Sequence, residues 1–444
     1  MKLRYNVHAS ISVSEAGHSL ITDPWFYEPI YGGMMWQYPR CKVNLKDLID
    51  SQIVLISHFH PDHYCQQSLK HFFEKSPIFI IPKLSSCTNL REFLLLSNQT
   101  FIEVSDFETI SIGPFLVTFV HSDNQIDTAH IISSKYSGIT IFNMNDCFLD
   151  KDQLVRIRTD NKIDHSMIFF MGVGHYPGSF VMKEEDKYKI IESKRSNSYK
   201  RALQTINLLR TNSFTAYSND MTWFRRPDLI SLNFVDKYDF YMYFKDSKLQ
   251  SQKAPFILDI ASGDSFDFKY SSITSDFIKP PYSKKDILSD CDELLTSDDF
   301  VRQISHLELL EKSFELNLDL LNHEMSMLCL TLASVHYSDL DDYLIVISFS
   351  ETKDYSFLKS STSCKLFEDI PLLNFDLRLT IPSHLWGCVQ NGLYSSEDLL
   401  NCRILIERLG SYSIFEEHFW RALGSLKSNT PSGLFNYKSI SISN

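Results

Sequence analysis

Three histidines and one aspartate stand within six positions of the stretch VLISHFHPDHYC, directly after an apolar run. They are His58, His60, Asp62 and His63, spaced as H-x-H-x-D-H. Side chains alternate along an extended chain, so His58 and His60 point to one side, while the tightening loop turns Asp62 and His63 toward a second point nearby. Neutral imidazoles and carboxylates bind Zn, Fe, Mn or Ni at about 2.0–2.2 Å. The motif therefore predicts a metal centre with two half-shells, suited to two ions.

Two ions need more ligands than this loop offers, and three polar residues downstream close or follow apolar, strand-like runs. His121 ends FLVTFVH, Asp146 ends ITIFNMND, and His175 follows SMIFFMGVG. Because α/β folds collect polar residues at the carboxyl ends of strands, these three are the expected remaining ligands, with Asp146 as a bridge between the ions. A surface histidine is the alternative reading of His175. His130 competes with His121, although its mid-strand position favours a core role.

The elements that must position these residues alternate along the first 235 residues. Short apolar runs such as SQIVLISH, PIFIIP and FLVTFVH predict strands, and QQSLKHFFEK, TNLREFLLL and KDQLVRIR predict helices. A long helix is expected within residues 184–210, and the whole pattern indicates a layered α/β domain. Residues 236–289 read as a connecting segment. Residues 290–444 read as an accessory α+β domain, expected to close over the metal centre or to mediate a homodimer.

Composition narrows the classes of partner. The 444-residue chain has a net charge of -12, with 43% hydrophobic and 22% charged residues, which disfavours non-specific binding to nucleic acid. We see no apolar run long enough for a membrane span and no signal-peptide pattern, and the nine cysteines form no C-x-x-C pair. We therefore expect a soluble, cytoplasmic protein that acts on a small molecule.

The sequence resembles the metallo-β-lactamase fold family in its H-x-H-x-D-H loop, its later lone His and its strand-end Asp. The segments VHAS and LITDPWF are similar to the branch that includes ascorbate-6-phosphate lactonase, N-acylphosphatidylethanolamine phospholipase D and CMP-N-acetylneuraminate hydroxylase. The hydroxylase pattern also resembles MMWQYP, the DTAH to NMNDC stretch and GVGHYPGSF. The resemblance covers residues 1–235 and extends weakly to the C-terminus. It implies an αββα sandwich followed by a C-terminal α+β accessory domain.

The resemblance also suggests roles around the centre. It places Asp23 beside the His loop, where a carboxylate accepts the free N–H of a ligating imidazole, and His8 is expected to act similarly. Trp36 is expected to line the pocket. Arg195 and Lys200, on a predicted helix, are candidates for binding an anionic group of the substrate, the alternative being a solvated helical face.

Two reactions fit this ligand set, and Asp62 and His63 are the expected catalytic residues in both. The resemblance to the hydroxylase favours an iron-dependent oxygenase. The chain lacks the paired Cys and His ligands of a Rieske cluster, so we expect electrons from a separate donor. The alternative is a hydrolase in which two Zn or Mn ions activate water against a phosphodiester, lactone or amide.

Overall fold

The structure is a computed structural model of the 444-residue chain. It describes residues 1–31, 33–38, 41–122, 126–172, 176–223, 237–247, 255–269, 272–273, 293, 295–335, 342–350, 352–369, 375–394, 399, 403–410, 413, 415–424 and 426.

The first sheet is built mainly from the N-terminal hundred residues. Its strands are β1 Lys2–Val7, β2 Ser10–Glu15, β3 His18–Thr22, β5 Ile53–Leu55, β6 Ile78–Pro82, β7 Phe101–Val104, β16 Ser265–Asp267 and β17 Ser272–Ile273. Their order is β17-β16-β1-β2-β3-β5-β6-β7, parallel from β3 to β7. β5 is central and covered on both faces, so its Ile-Val-Leu sequence is uniformly buried.

The second sheet carries the remaining strands of the sandwich. They are β8 Thr109–Ile112, β9 Phe115–His121, β10 Thr128–Ser134, β11 Thr140–Asn143, β12 His165–Phe169, β13 Ser213–Tyr217 and β15 Phe256–Ile257. Their order is β15-β13-β12-β11-β10-β9-β8. A separate two-stranded ribbon pairs β4 Met35–Gln37 with β14 Met221–Trp223.

Helices cover the outer face of each sheet. They are α1 Gln66–Phe73 and α2 Thr88–Leu96 on the first sheet, and α3 Lys151–Asp160, α4 Glu184–Leu209 and α5 Lys237–Asp246 on the second. Leu3 and Ile11 of the first sheet meet Phe115 and Met167 of the second in the central core. This is the expected αββα sandwich. α3 begins with a capping box between Asp150 and Gln153.

Part of the predicted connecting segment belongs to this sandwich. β15 pairs with β13, β16 pairs with β1, and α5 packs into the core beneath the second sheet. These pairings carry the sandwich past residue 235, where we placed its end. The division of the chain into domains stays a prediction.

A second α+β unit follows. Its sheet has the order β20-β19-β18-β21-β22, and four helices accompany it in the described part of the chain. The bounds are β18 Tyr343–Phe349, β19 Lys353–Lys359, β20 Cys364–Glu368, β21 Leu377–Ile381, β22 Leu405–Arg408, α6 Asp298–Lys312, α7 Leu318–Ala333, α8 Ser383–Gln390 and α9 Phe415–Gly424. An isolated bridge joins Ile406 of β22 to Phe180.

Among the described residues, no helix has the length and apolar character of a membrane span.

Candidate metal centre

The His-Asp loop begins where β5 ends. The Ile56 amide still donates to the Ile80 carbonyl, after which the chain leaves the sheet. The amides of His63 and Tyr64 both donate to the carbonyl of His60, at 2.9 and 2.7 Å, and this turn brings His63 back beside His58. The ring centroids of His58 and His63 are 4.1 Å apart, and both side chains are buried.

Asp23 and Ser57 orient the two buried imidazoles. Asp23 follows β3 and accepts hydrogen bonds from the Ser57 amide and from the Ser57 hydroxyl, both at 2.7 Å. The same carboxylate lies 3.0 Å from Nδ1 of His63, and the Ser57 hydroxyl lies 2.9 Å from Nδ1 of His58. Because both Nδ1 atoms are engaged here, both Nε2 atoms face away from Asp23. Such partners fix the tautomer of a metal-binding histidine.

Asp62 is held from the opposite side. Its Oδ2 lies 3.1 Å from Nε2 of His8, and its Oδ1 accepts the hydroxyl of Tyr31 at 2.8 Å. Tyr31 belongs to an apolar cluster with Trp25 and Trp223, and this cluster shields this side of the loop from solvent. Both oxygens of the carboxylate are therefore fixed in direction.

Three overlapping groups of side chains offer ligand atoms within 4.8 Å of one another. They are His58, His60 and Asp127; His58, His63 and Asp146; and His8, Asp62 and His63. Nε2 of His58 lies 2.7 Å from Nδ1 of His60 and 3.7 Å from one oxygen each of Asp127 and Asp146. Nε2 of His63 lies 3.5 Å from one oxygen each of Asp62 and Asp146. Each group is two histidines and one carboxylate.

Buried polar atoms at the centre fit a cation. Among the described residues, Nε2 of His63 and Oδ1 of Asp146 are buried without a hydrogen-bond partner. An unpaired buried polar atom is costly, and a metal ion would satisfy both atoms at once. In the described part of the chain, Asp62 and Asp146 form their ion-pair contacts with histidines. The residues present therefore fit divalent ions.

Burial and mutual charge set the protonation of the centre. Burial, reinforced by His63 and His60, holds the pKa of His58 well below its ordinary value, so its imidazole is neutral and able to bind a metal. Burial would lower the pKa of His63 as well, but Asp146, Asp62 and Asp23 outweigh it and raise that pKa well above the ordinary value. Burial opposes ionisation of Asp62, yet His63 and His8 hold the pKa of Asp62 well below its usual range.

The backbone is strained at several of these positions. His8, Asp23, Tyr31 and Asn145 have φ values of 50, 37, 50 and 51°. Non-glycine residues in this region cost on the order of 1–3 kcal/mol each, less for Asp, Asn and His. Such strain persists where surrounding contacts fix the chain, as the bonds to Asp23 and Asp62 do here. The clustering is typical of a functional site.

The other predicted residues are placed as follows. None of the three groups contains His121, whose amide donates to Asp106 at 2.8 Å, and His175 lies outside the described residues. Trp36 is buried in β4, opposite Thr222 of β14. On α4, Arg195 donates to Glu192 at 2.7 Å, and Lys200 is exposed.

Sequence reasoning missed three residues at the centre: Ser57, Tyr31 and Asp127. Ser57 immediately precedes the His-Asp motif, and Asp127 immediately precedes a predicted strand in the DTAH stretch. These positions in the sequence could have indicated that both residues lie near the metal centre. Tyr31 had no such signal, because its partner Asp62 is 31 residues away.

Comparisons with known proteins concern the fold of the first part of the chain. Residues 2–192 match the model of the beta-lactamase superfamily domain. A Rieske 2Fe-2S iron-sulfur protein of Mycolicibacterium smegmatis is 27% identical over 212 residues, which cover 45% of this chain and 40% of that protein. Cytidine monophosphate-N-acetylneuraminic acid hydroxylase of Danio rerio is 24% identical over 155 residues, covering 33% of this chain and 25% of that protein. The chain thus spans less than half the length of these relatives.

Among solved structures, this chain is similar to Igni18, a metallo hydrolase of Ignicoccus hospitalis. The two are 17% identical with a TM-score of 0.43, and the match covers 60% of this chain and 98% of that chain. That similarity is too low to support an argument. The family match and the sandwich together confirm the sequence-based assignment of the fold. Residues 2–192 thus have the metallo-β-lactamase fold, and the His and Asp groups of this region are able to hold metal ions.

Proposed function

We propose that the centre holds two divalent ions and supports an iron-dependent oxygenation of a small organic substrate, with electrons from a separate donor. The observation that carries this proposal is the composition of the three ligand groups, each with two histidines and one aspartate. Two histidines and one carboxylate with open positions are the ligand set of non-haem Fe(II) oxygenases.

Two ions, rather than three, fit the groups because the groups share atoms. Nε2 of His58 and Nε2 of His63 each lie within reach of two carboxylates. One ion would bind between His58, His60 and a carboxylate, and the other between Asp62 and His63. Asp146, close to both Nε2 atoms, would bridge them. When bound, iron supplies O₂ activation, and zinc or manganese supplies an activated water.

The chain itself fixes the ligands and excludes water. Asp23 and Ser57 hold His58 and His63 in one tautomer, which orients both Nε2 atoms before any ion arrives. The Tyr31 cluster keeps solvent away from Asp62. The side chain of Asp146 is 23% exposed, against 7% for Asp62, so substrate is expected to approach from the Asp146 side.

The names of the relatives support the oxidative reading. One is named a hydroxylase and the other a Rieske iron-sulfur protein. A hydrolase remains the second candidate, because two histidines and one carboxylate also form catalytic zinc sites, and paired ions stabilise the attacking and leaving oxygens of a hydrolysed ester.

The experiment compares iron-loaded and zinc-loaded protein. Protein purified without O₂ is reconstituted with Fe(II) or Zn(II), and metal content is measured by mass spectrometry. We expect two irons per chain and O₂ uptake by the chemically reduced iron form, measured with an oxygen electrode, that disappears in His58→Ala. The zinc form should not hydrolyse bis(p-nitrophenyl) phosphate. Two results together would overturn the oxidative reading in favour of a hydrolase. The zinc form would hydrolyse this probe without O₂, and the iron form would take up no more O₂ than His58→Ala does.

A further inference from the structure

Asp127 sits where three parts of the metal centre meet. It directly precedes β10, and its carbonyl accepts the Ser122 amide at 2.9 Å, while its own amide donates to the Ser122 hydroxyl at 3.1 Å. These bonds anchor its backbone to the end of β9. Its Oδ1 lies 3.7 Å from Nε2 of His58 and shares a ligand group with His58 and His60.

The neighbouring residue, Thr128, fixes this position relative to both ligand loops. Its hydroxyl donates to the carbonyl of Ser57 at 2.7 Å, and its carbonyl accepts the side-chain amide of Asn145 at 3.0 Å. Ser57 precedes His58, and Asn145 precedes Asp146. Thr128 therefore ties β10 to the loops that carry both residues, and these bonds fix the backbone of Asp127 relative to His58.

His121, the residue that we expected to complete this shell, has a different setting. Its amide donates to Asp106 at 2.8 Å, and its Nε2, like that of His63, is buried without a hydrogen-bond partner among the described residues. It belongs to no ligand group of the described residues. Asp127 belongs to one.

We infer that Asp127 completes the metal shell of His58 and His60 in place of His121, and that it tunes the metal preference of that shell. This inference rests on the proposed dinuclear centre. A carboxylate adds a negative charge and a hard oxygen that an imidazole would not supply. With Asp62, Asp127 and Asp146, three carboxylates face two divalent ions. A hard carboxylate oxygen in place of an imidazole nitrogen reduces the advantage that Zn(II) has over Fe(II) at nitrogen-rich sites, so Asp127 shifts the preference of this shell toward Fe(II).

Four variants test the inference, and a fifth is kept in case one of them does not fold. Asp127→Asn removes the charge, Asp127→His replaces the carboxylate with imidazole, and His121→Asn removes the competing candidate. Asp106→Asn is the control, because Asp106 contacts the His121 amide and belongs to no ligand group of the described residues. Circular dichroism checks folding, and Asp127→Glu, which keeps the carboxylate, provides a second variant if Asp127→Asn fails to fold.

Each protein is offered equal Fe(II) and Zn(II) without O₂, and bound metals are counted by mass spectrometry. We expect two ions in wild type, His121→Asn and Asp106→Asn. Asp127→Asn should lose one ion or bind it at least tenfold more weakly, and Asp127→His should shift the iron-to-zinc ratio at least tenfold toward zinc. The role of Asp127 would be overturned if Asp127→Asn bound two ions with unchanged affinity, or if His121→Asn lost an ion. Either result would leave the proposed dinuclear centre standing. Fewer than two ions in wild type would overturn the dinuclear centre and, with it, this inference.

Discussion

Two buried carboxylates of the C-terminal unit, those of Glu311 and Glu416, are neutralised in a different way from those at the metal centre. Glu311, 2% exposed, receives a two-pronged pair of hydrogen bonds from Arg403 at 2.9 and 2.8 Å. Glu416 pairs with Arg408 and accepts the hydroxyl of Tyr343 at 2.6 Å. Each of these charges has a permanent cation within the protein.

At the metal centre the partners are imidazoles. Asp62 and Asp146 face His8, His58 and His63, which also offer lone pairs to a metal. Among the described residues, buried atoms of His63 and Asp146 still lack hydrogen bonds. Burial of carboxylates is thus common to both regions, but at the metal centre the described carboxylates face imidazole nitrogens instead of arginines. That arrangement is what a bound cation requires.

The largest effect is expected from breaking the Glu311–Arg403 pair. Arg403→Met should lower the free energy of unfolding by about 3–5 kcal/mol, because it leaves a buried carboxylate without its cation. Urea unfolding followed by circular dichroism measures this change, and the metal content should stay that of wild type. Lys75→Met is the control, since both members of its ion pair with Asp50 are exposed and its loss should leave urea unfolding almost unchanged. A loss below about 1 kcal/mol in Arg403→Met would contradict the comparison.

His165 tests what burial does to a histidine without carboxylates. It lies between Ser213 and Met167, and burial lowers its pKa from 6.5 to about 3. The unfolded chain takes up the proton first, so the stability present above about pH 6.5 is lost as the pH falls toward 3. We expect His165→Gln to remove on the order of 3 kcal/mol of this pH dependence, measured by urea unfolding between pH 7 and 4. An unchanged pH profile would refute the assignment, and His18→Gln, at an exposed histidine, is the control.

Removal of metal should destabilise the sandwich and spare the C-terminal sheet. An ion present at about 100 times its dissociation constant stabilises the folded state by about 2.7 kcal/mol, which a chelator would remove. Hydrogen exchange gives the regional readout: amides of β5 and β11 should exchange faster after chelation, and those of β18 and β21 should not. Equal acceleration in both regions would contradict a separate, metal-dependent centre.

The fold could be predicted from the sequence where its elements are long. Most strands and helices up to the end of α4 carry enough alternation or amphipathic spacing to be recognised, and β9 spans the predicted run Phe115–His121, whereas β4 and β13 were not predicted. β15 and β17 are only two residues long, too short for any periodicity to appear. Their pairing depends on partners far away in the chain, so the sequence alone indicated a connecting segment there.

The site was predictable where its residues are close in the chain. His58, His60, Asp62 and His63 share one loop, and Asp146 ends a strand-like run. Asp127 is 69 residues from His58, and choosing between it and His121 needs the direction of each side chain, which spacing does not give. Local motifs therefore predict which side chains of one loop come together better than they predict contacts between distant segments.

The smallest effect is expected on α4, where the charges are at the surface. The side chains of Arg195 and Glu192 are 25% and 64% exposed, and such pairs contribute less than about 0.5 kcal/mol, so Arg195→Gln should leave urea unfolding almost unchanged. Its predicted role is to bind an anionic group of the substrate together with Lys200. Once a substrate is known, Arg195→Gln and Lys200→Gln should each raise KM severalfold with little change in kcat, whereas Glu192→Gln should not raise it. An unchanged KM in both variants would leave α4 as a solvated face. If Arg195→Gln instead lowered the free energy of unfolding by more than about 1 kcal/mol, Arg195 would have a structural role like that of the C-terminal arginines. The distinction between buried ion pairs and surface charges would then not hold for α4.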